Sequence, residues 1–168
     1  LKVINPMVED DWHLWESRCI MKFICEQCDA GELLGESLKQ QMLIDRWLYW
    51  DLGTFYPKMG SVFYAKVLRK EEPKPEDVAA LKEKLHYLDN HLGKEKNDSN
   101  DEPLFLAGDS PSIADLSMAM LVEQTRLVVD TDEYKHLEKW MEAVAEEFAE
   151  SYEEVMAELH EWKDKHGF

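Results

Sequence analysis

The 168-residue chain is 45% hydrophobic, enough for a substantial core, which excludes global disorder and suits a single helical domain or one carrying a fragment of another. Its 36 acidic residues outweigh 19 basic ones, for a formal net charge of −17, and such a surface repels phosphate backbones and anionic lipid, so nucleic-acid and membrane-surface partners are excluded. No apolar run approaches the length of a membrane span, and no signal peptide is read at the start.

Trp12, His13 and Leu14 read as strand, and residues 16–27 then carry a helical pattern in which Ile20, Phe23 and Ile24 form the predicted buried stripe. Glu16 and Ser17 stand where that helix begins. A helix start offers backbone N–H groups and a positive dipole end, which together bind a carboxylate. Serine there adds a donor, and the adjacent glutamate can hold an ammonium, so the pair suits a zwitterionic amino-acid head group. The simpler alternative is that Ser17 caps its helix while Glu16 sits in solvent.

The three thiols, Cys19, Cys25 and Cys28, all lie in this segment. An odd count without even spacing is no disulfide framework and points to a reducing compartment, hence a cytoplasmic protein. Cys25 and Cys28 form a CxxC, but at the far end of a helix, where the dipole does not lower a thiol pKa, and without a second pair to complete a zinc site. They read more simply as small core residues.

Residues 28–36, with Gly31 and Gly35, read as a connection. A long helical run follows over 37–69. Its middle, RWLYWDLGTFYPKMGSVFYAKV, is too aromatic for an ordinary amphipathic helix. Pro57 lacks the backbone donor and clashes with the carbonyl of Gly53, which predicts a bend there. Tyr56, Met59, Phe63 and Tyr64 can then line one wall of an apolar pocket or simply pack as core, and the residues alone leave both open.

EEPKPED breaks the chain. Pro75 suits a first helical position, with Glu76 and Asp77 complementing the dipole. Val78, Leu81, Leu85, Leu88 and Leu92 make an apolar seam, Gly93 is the predicted helix end, and GKEKNDSNDEP is a polar loop. In LFLAGDSPSIADLSMAMLVEQ, Ser112 is an N-cap and Asp115 reaches back to it as a capping box. Residues 113–122 are apolar nearly all round, which predicts the central buried helix and makes Asp115 a folding determinant rather than a catalytic acid. Two amphipathic helices finish the chain, with stripes Leu137, Met141, Val144, Phe148 and then Tyr152, Val155, Leu159, Trp162. Glu83–His86 and Glu133–His136 fit the Glu-x-x-His spacing of di-iron bundles, but Glu83 is turned away from the leucine seam and 36 acids make chance matches expected. No metal is assigned.

Four blocks together carry a family resemblance. EDDWHLWESRCIMKFI after an Asn-Pro resembles the second half of the thioredoxin-like domain of cytosolic glutathione transferases. RWLYWDLGTFY looks like the fourth helix of the insect delta and epsilon classes, FLAGDSPSIADLSMA is similar to the family's capping box and buried sixth helix, and EWKDKHGF resembles the delta-class tail. The blocks stand in the family's order over nearly the whole chain. The resemblance implies a mainly α fold: residues 1–30 as a partial thioredoxin-like α/β module, 31–36 as linker, and 37–168 as the all-helical glutathione transferase C-terminal domain. It implies a detoxification-type glutathione transferase with glutathione as co-substrate, no other cofactor, and a homodimer. By position, Glu16, Ser17 and Arg18 would hold the γ-glutamyl group, and Asp51 would join Glu16 and Arg18 in a supporting charged network. Leu52, Tyr56, Met59, Tyr64 and Leu68 would line the hydrophobic-substrate pocket, closed by Trp162 where the delta class tends to carry Phe. The family's strand, helix and strand that precede the position of Leu1, with their catalytic hydroxyl, and its VPTL-like segment are expected as unseen stretches rather than deletions, because half a sheet would expose an unpaired strand. The alternative from another class is a non-catalytic ligand-binding or scaffold protein of the same fold.

Overall fold

The computed structural model describes residues 13–94 and 105–167, so Trp12, the Asn5-Pro6 stretch before it and most of the predicted polar loop lie outside the described residues. Among these, the elements are helical: α1 (Ser17–Gln27), a 3-10 turn (Gly31–Leu34), α2 (Leu38–Trp50), α3 (Tyr56–Phe63), α4 (Pro75–Lys94), α5 (Ile113–Arg126), α6 (Lys135–Glu147) and α7 (Ala149–His166). Of the predicted strand, Leu14 makes a single β-bridge.

Helix α5 occupies the centre. Ile113, Ala114, Met118, Ala119, Leu121 and Val122 are all buried, as an all-round apolar sequence requires. The Ser112–Asp115 capping box forms, and Asp115 does more than cap. Its fully buried carboxylate accepts from Leu106 N–H at 2.8 Å, Trp140 Nε1–H at 2.9 Å, Ser112 N–H at 2.9 Å and Ser112 Oγ at 2.7 Å. One side chain thereby ties the turn before α5 and the core of α6 to the α5 start. Burial pushes its carboxyl above the ordinary aspartate value, against the pull of those donors.

The leucine seam of α4 is realised: Leu81, Leu85 and Leu88 are wholly buried and Leu92 nearly so, each contributing about 1.5–3 kcal/mol of apolar burial. Gly93 does not end that helix, which continues to Lys94. Instead it permits a close helix crossing, since a Cβ at Gly93 would lie 2.6 Å from His136 Cδ2 on α6. The same crossing supplies the cap that α6 lacks. Its N-cap residue, Tyr134, makes no side-chain capping bond, and Asp89 of α4 accepts from His136 N–H at 2.8 Å and Leu137 N–H at 3.0 Å.

One further expectation is corrected. In α1 the buried residue is Cys25, with Met21 packed half-buried against the core, while Ile24 is half exposed and Ile20 and Phe23 are half-buried. Both faces of this helix are apolar, so spacing alone could not choose between them. At Pro57, the departure from α geometry takes the form of a π turn over Asp51–Phe55, closed by Tyr56 N–H to the Asp51 carbonyl, with Pro57 in the first turn of α3. The wider turn absorbs the missing proline donor before the proline is reached. Helix α2, this π turn and α3 run on as one rod, Leu38–Leu68, which ends in a second π turn, Tyr64–Leu68, with Arg69 N–H on the Tyr64 carbonyl at 3.0 Å.

Candidate functional site

The corner before α1 is strained. Glu16 is its N-cap with φ 71° and ψ 109°, a positive φ that a non-glycine residue rarely adopts, and no side chain caps the first turn. Ser17 is therefore the first helical residue and not the cap. Its Oγ accepts from Arg18 Nη1 at 2.7 Å, which leaves the hydroxyl hydrogen to donate outward. Glu16 and Ser17 are both exposed.

Arg18 is fixed from behind. Its Nε reaches Asp51 Oδ2 at 3.0 Å and its Nη2 lies 2.6 Å from both carboxylate oxygens, so one guanidinium edge is wholly committed to Asp51. Asp51 is 1% exposed, at the first position of the π turn, and it also accepts from Ser117 Oγ of α5 at 2.5 Å. Three elements thus meet on one carboxylate: α1 through Arg18, the α2 rod through Asp51 itself, and α5 through Ser117. A second tie between α1 and α2 is the Lys22–Asp45 ion pair.

Ser17 and Arg18 open onto a cavity of about 410 Å³ between α1, α5 and α7, with Tyr56 of α3 on its wall. The wall is otherwise mostly apolar: Met21 from α1, Leu116, Met120 and Leu121 from α5, Phe148 and Val155 at α7. Gln124, Ser151 and Tyr152 add polar atoms. The Tyr152 phenol donates to Glu123 at 2.5 Å, and burial, reinforced by that carboxylate, pushes its pKa up. Tyr56 and Tyr64 share a hydrogen bond of 2.5 Å, which raises the Tyr64 pKa.

The other residues proposed for the pocket take different places. Met59 is buried in the core beneath α3. Leu52 and Leu68 lie exposed on the rod, and Trp162 stacks on Phe63 with ring centroids 6.3 Å apart. The cavity's α5 and α7 walls were not found from sequence. One signal was available: Leu116, Met120 and Gln124 recur every four residues and are the half-buried stripe of an otherwise buried helix. Ser117, a hydroxyl within a run of apolar residues, was another.

Among the described residues no group of three His, Cys, Asp or Glu side chains could hold a metal ion. Glu83 and Glu133 are exposed and paired with Lys84 and Lys82. Of the thiols, Cys25 is buried, which raises its pKa, while Cys19 and Cys28 are exposed. No described helix is long and apolar enough to cross a membrane. What remains is a binding arrangement: an oriented hydroxyl and guanidinium at a helix start, opening on a mainly apolar cavity.

Known structures share this architecture. A silkworm (Bombyx mori) glutathione transferase superposes with a TM-score of 0.73 at 23% identity, over 86% of this chain and 63% of its own length. A delta-class glutathione transferase of Nilaparvata lugens gives 0.73 at 26% identity, over 87% and 68% of the two chains. A glutathione S-transferase of the yeast Pichia kudriavzevii gives 0.70 at 29%, over 89% and 71%. The chain therefore spans under two thirds of the silkworm enzyme's length. Residues 55–147, more than half of the chain and including the rod after its π turn, the capping box and α5, match the model of the glutathione S-transferase C-terminal domain, and the protein belongs to that family.

Proposed function

We propose that this protein binds glutathione at the Glu16–Ser17–Arg18 corner and presents its sulfur to apolar electrophiles held near the cavity wall. The observation that carries the reading is the Ser17–Arg18–Asp51–Ser117 cluster at the cavity mouth: a strained helix start with an outward-facing hydroxyl, rigidly backed by a buried carboxylate. The free carboxylate of a γ-glutamyl group would accept from Ser17 and the first-turn amides, and its ammonium would face Glu16. The solved relatives named above are glutathione transferases, which supports the same ligand.

Conjugation needs a donor that stabilises the thiolate, because a free thiol with a pKa near ~8.5 is largely protonated at neutral pH. The proposal requires such a hydroxyl donor beside the glutathione sulfur. A cytoplasmic detoxification role and a homodimer belong to the same proposal. Dimerisation is supported by Leu38, Met42 and Tyr49, exposed at spacings of four and seven along one face of α2. The second reading, a ligand-binding protein without conjugating activity, is favoured by the mainly apolar cavity wall of Met21, Leu116, Met120, Leu121, Phe148 and Val155.

Calorimetric titration of glutathione into the parent and Ser17→Ala proteins tests the proposal. The variant should bind about tenfold more weakly, the loss of one hydrogen bond to a charged group, with its melting temperature unchanged within about 1 °C. Parent protein that fails to bind glutathione, or equal affinities in both, sinks it. A conjugation assay then separates the two readings: turnover supports the transferase, and glutathione binding without turnover supports the ligand-binding protein.

A further inference from the structure

We propose that α7 is a hinged wall of the cavity, held shut by the Tyr152–Glu123 hydrogen bond and the Trp162–Phe63 stack, and swinging about Phe148 to admit ligand. The proposal rests on the cavity and its wall alone and holds whether or not glutathione is the ligand.

The joint is short. Helix α6 ends at Glu147 and α7 begins at Ala149, so Phe148, with φ −112° and ψ 30°, is the only non-helical residue between them. Its N–H donates to the Val144 carbonyl at 3.1 Å, and its own carbonyl accepts from Tyr152 N–H at 2.8 Å. Two dihedrals at one residue can redirect the whole of α7 without breaking either helix.

The wall is weakly held. Four side chains of α6 are buried, whereas none of the described side chains of α7 is, and Val155 is 44% exposed although it faces the cavity. Segments with so little buried apolar contact occupy the low end of local stability. Phe148, Ser151, Tyr152 and Val155, at successive helical spacings, are the stripe that lines the cavity, so moving α7 opens it along its length.

The latch is built to stay fixed. Tyr152 donates to Glu123, which is 7% exposed and is held by Arg126 Nη1 at 2.7 Å. Arg126 Nη2 reaches Glu138 at 2.5 Å, and Thr131 Oγ1 donates to Glu138 at 3.0 Å. The acceptor is thus part of a network rooted in α5 and α6, and only the phenol belongs to the moving wall. Opposing the latch, α7 carries Glu150, Glu153, Glu154, Glu158, Glu161 and Asp164 against Lys163 and Lys165, beside Glu146 and Glu147 at the end of α6. Like charges on adjoining helices push the wall outward, and salt screens that push.

Amide hydrogen exchange followed by mass spectrometry on the full chain tests this. In Tyr152→Phe, amides of α7 beyond its first turn should exchange about tenfold faster, the factor carried by one hydrogen bond to a charged group, while α4 and α5 keep their rates. In the parent, raising sodium chloride to about 1 M, where the Debye length is ~3 Å, should slow α7 selectively. Binding of anilinonaphthalene sulfonate, an apolar anionic probe, should be faster in Tyr152→Phe. Exchange of α7 at the rate of α5 in the parent, or equal acceleration of all helices in the variant, overturns the hinge. The salt measurement needs no variant, and insensitivity of α7 to salt removes the repulsive part of the proposal.

Discussion

Asp51→Asn isolates the carboxylate on which α1, the α2 rod and α5 converge. Asparagine keeps the shape but removes the charge, so Arg18 loses its counter-ion. Its amide oxygen cannot also replace both carboxylate oxygens for Arg18 and Ser117. Removing one partner of a buried pair typically costs ~3–5 kcal/mol, because the other charge is left uncompensated. Asp51 is 1% exposed, but the Arg18 side chain is 22% exposed and retains some hydration, which puts the loss at the lower end, about 3 kcal/mol. For a chain of this size each kcal/mol moves the melting temperature by ~2–4 °C, so the variant should melt roughly 6–12 °C below the parent. Urea unfolding followed by circular dichroism should show a lower midpoint with an unchanged slope. The pair replacement Arg18→Met with Asp51→Leu removes both charges together and should recover most of the loss. A single variant melting within about 1 °C of the parent would falsify the three-way junction, as would a double variant no more stable than the singles.

Gly93→Ala should destabilise by about 1–3 kcal/mol, because the added Cβ meets the His136 ring at 2.6 Å and the ring must move. In a His136→Ala background the same substitution should instead stabilise by up to ~1 kcal/mol, alanine's helical advantage over glycine; stabilisation already in the parent would mean the crossing is slack. Met42→Glu, at a position 54% exposed on α2, should lower the light-scattering mass from about twice 19.7 kDa to that of one chain, and should remove the rise of melting temperature with protein concentration expected of the parent. A parent that is already monomeric refutes the interface.

What could be read from the sequence was local or strictly periodic. The leucines of α4 and the Ser112–Asp115 box are short-range patterns whose partners lie within a turn or two, and the structure realises both. The misses needed a second element to be in place. Gly93 reads as a stop because glycine ends helices, yet its neighbour here is His136, 43 positions on. The cap on α6 comes from Asp89, not from the residues before α6, and no pattern near Tyr134 announces it. The residue types leave Ser17 open as binding residue or cap, and the strained Glu16 backbone that makes it the first helical residue is invisible in them. In α5, nearly uniform apolarity announces burial but hides that the face of Leu116, Met120 and Gln124 looks into a cavity.

The rod is the instructive case, because its departure from α geometry was written in its spacing. Asp51, Phe55, Met59, Phe63 and Val67 are all buried, each four residues from the last. On an α-helix of 3.6 residues per turn, every step of four overshoots a full turn by about 40°, so the fifth residue would stand roughly 160° round from the first. A row that stays on the buried side over that length requires wider turns, and the rod contains two, at Asp51–Phe55 and Tyr64–Leu68. Pro57 marks where one of them is needed, since a turn closed by Tyr56 N–H asks nothing of the proline nitrogen. The same widening keeps Asp51 in register with the buried row while its carboxylate meets Arg18 and Ser117, and it leaves Tyr56 at the cavity wall. The aromatic, proline-broken stretch is therefore one element whose altered pitch sets the site.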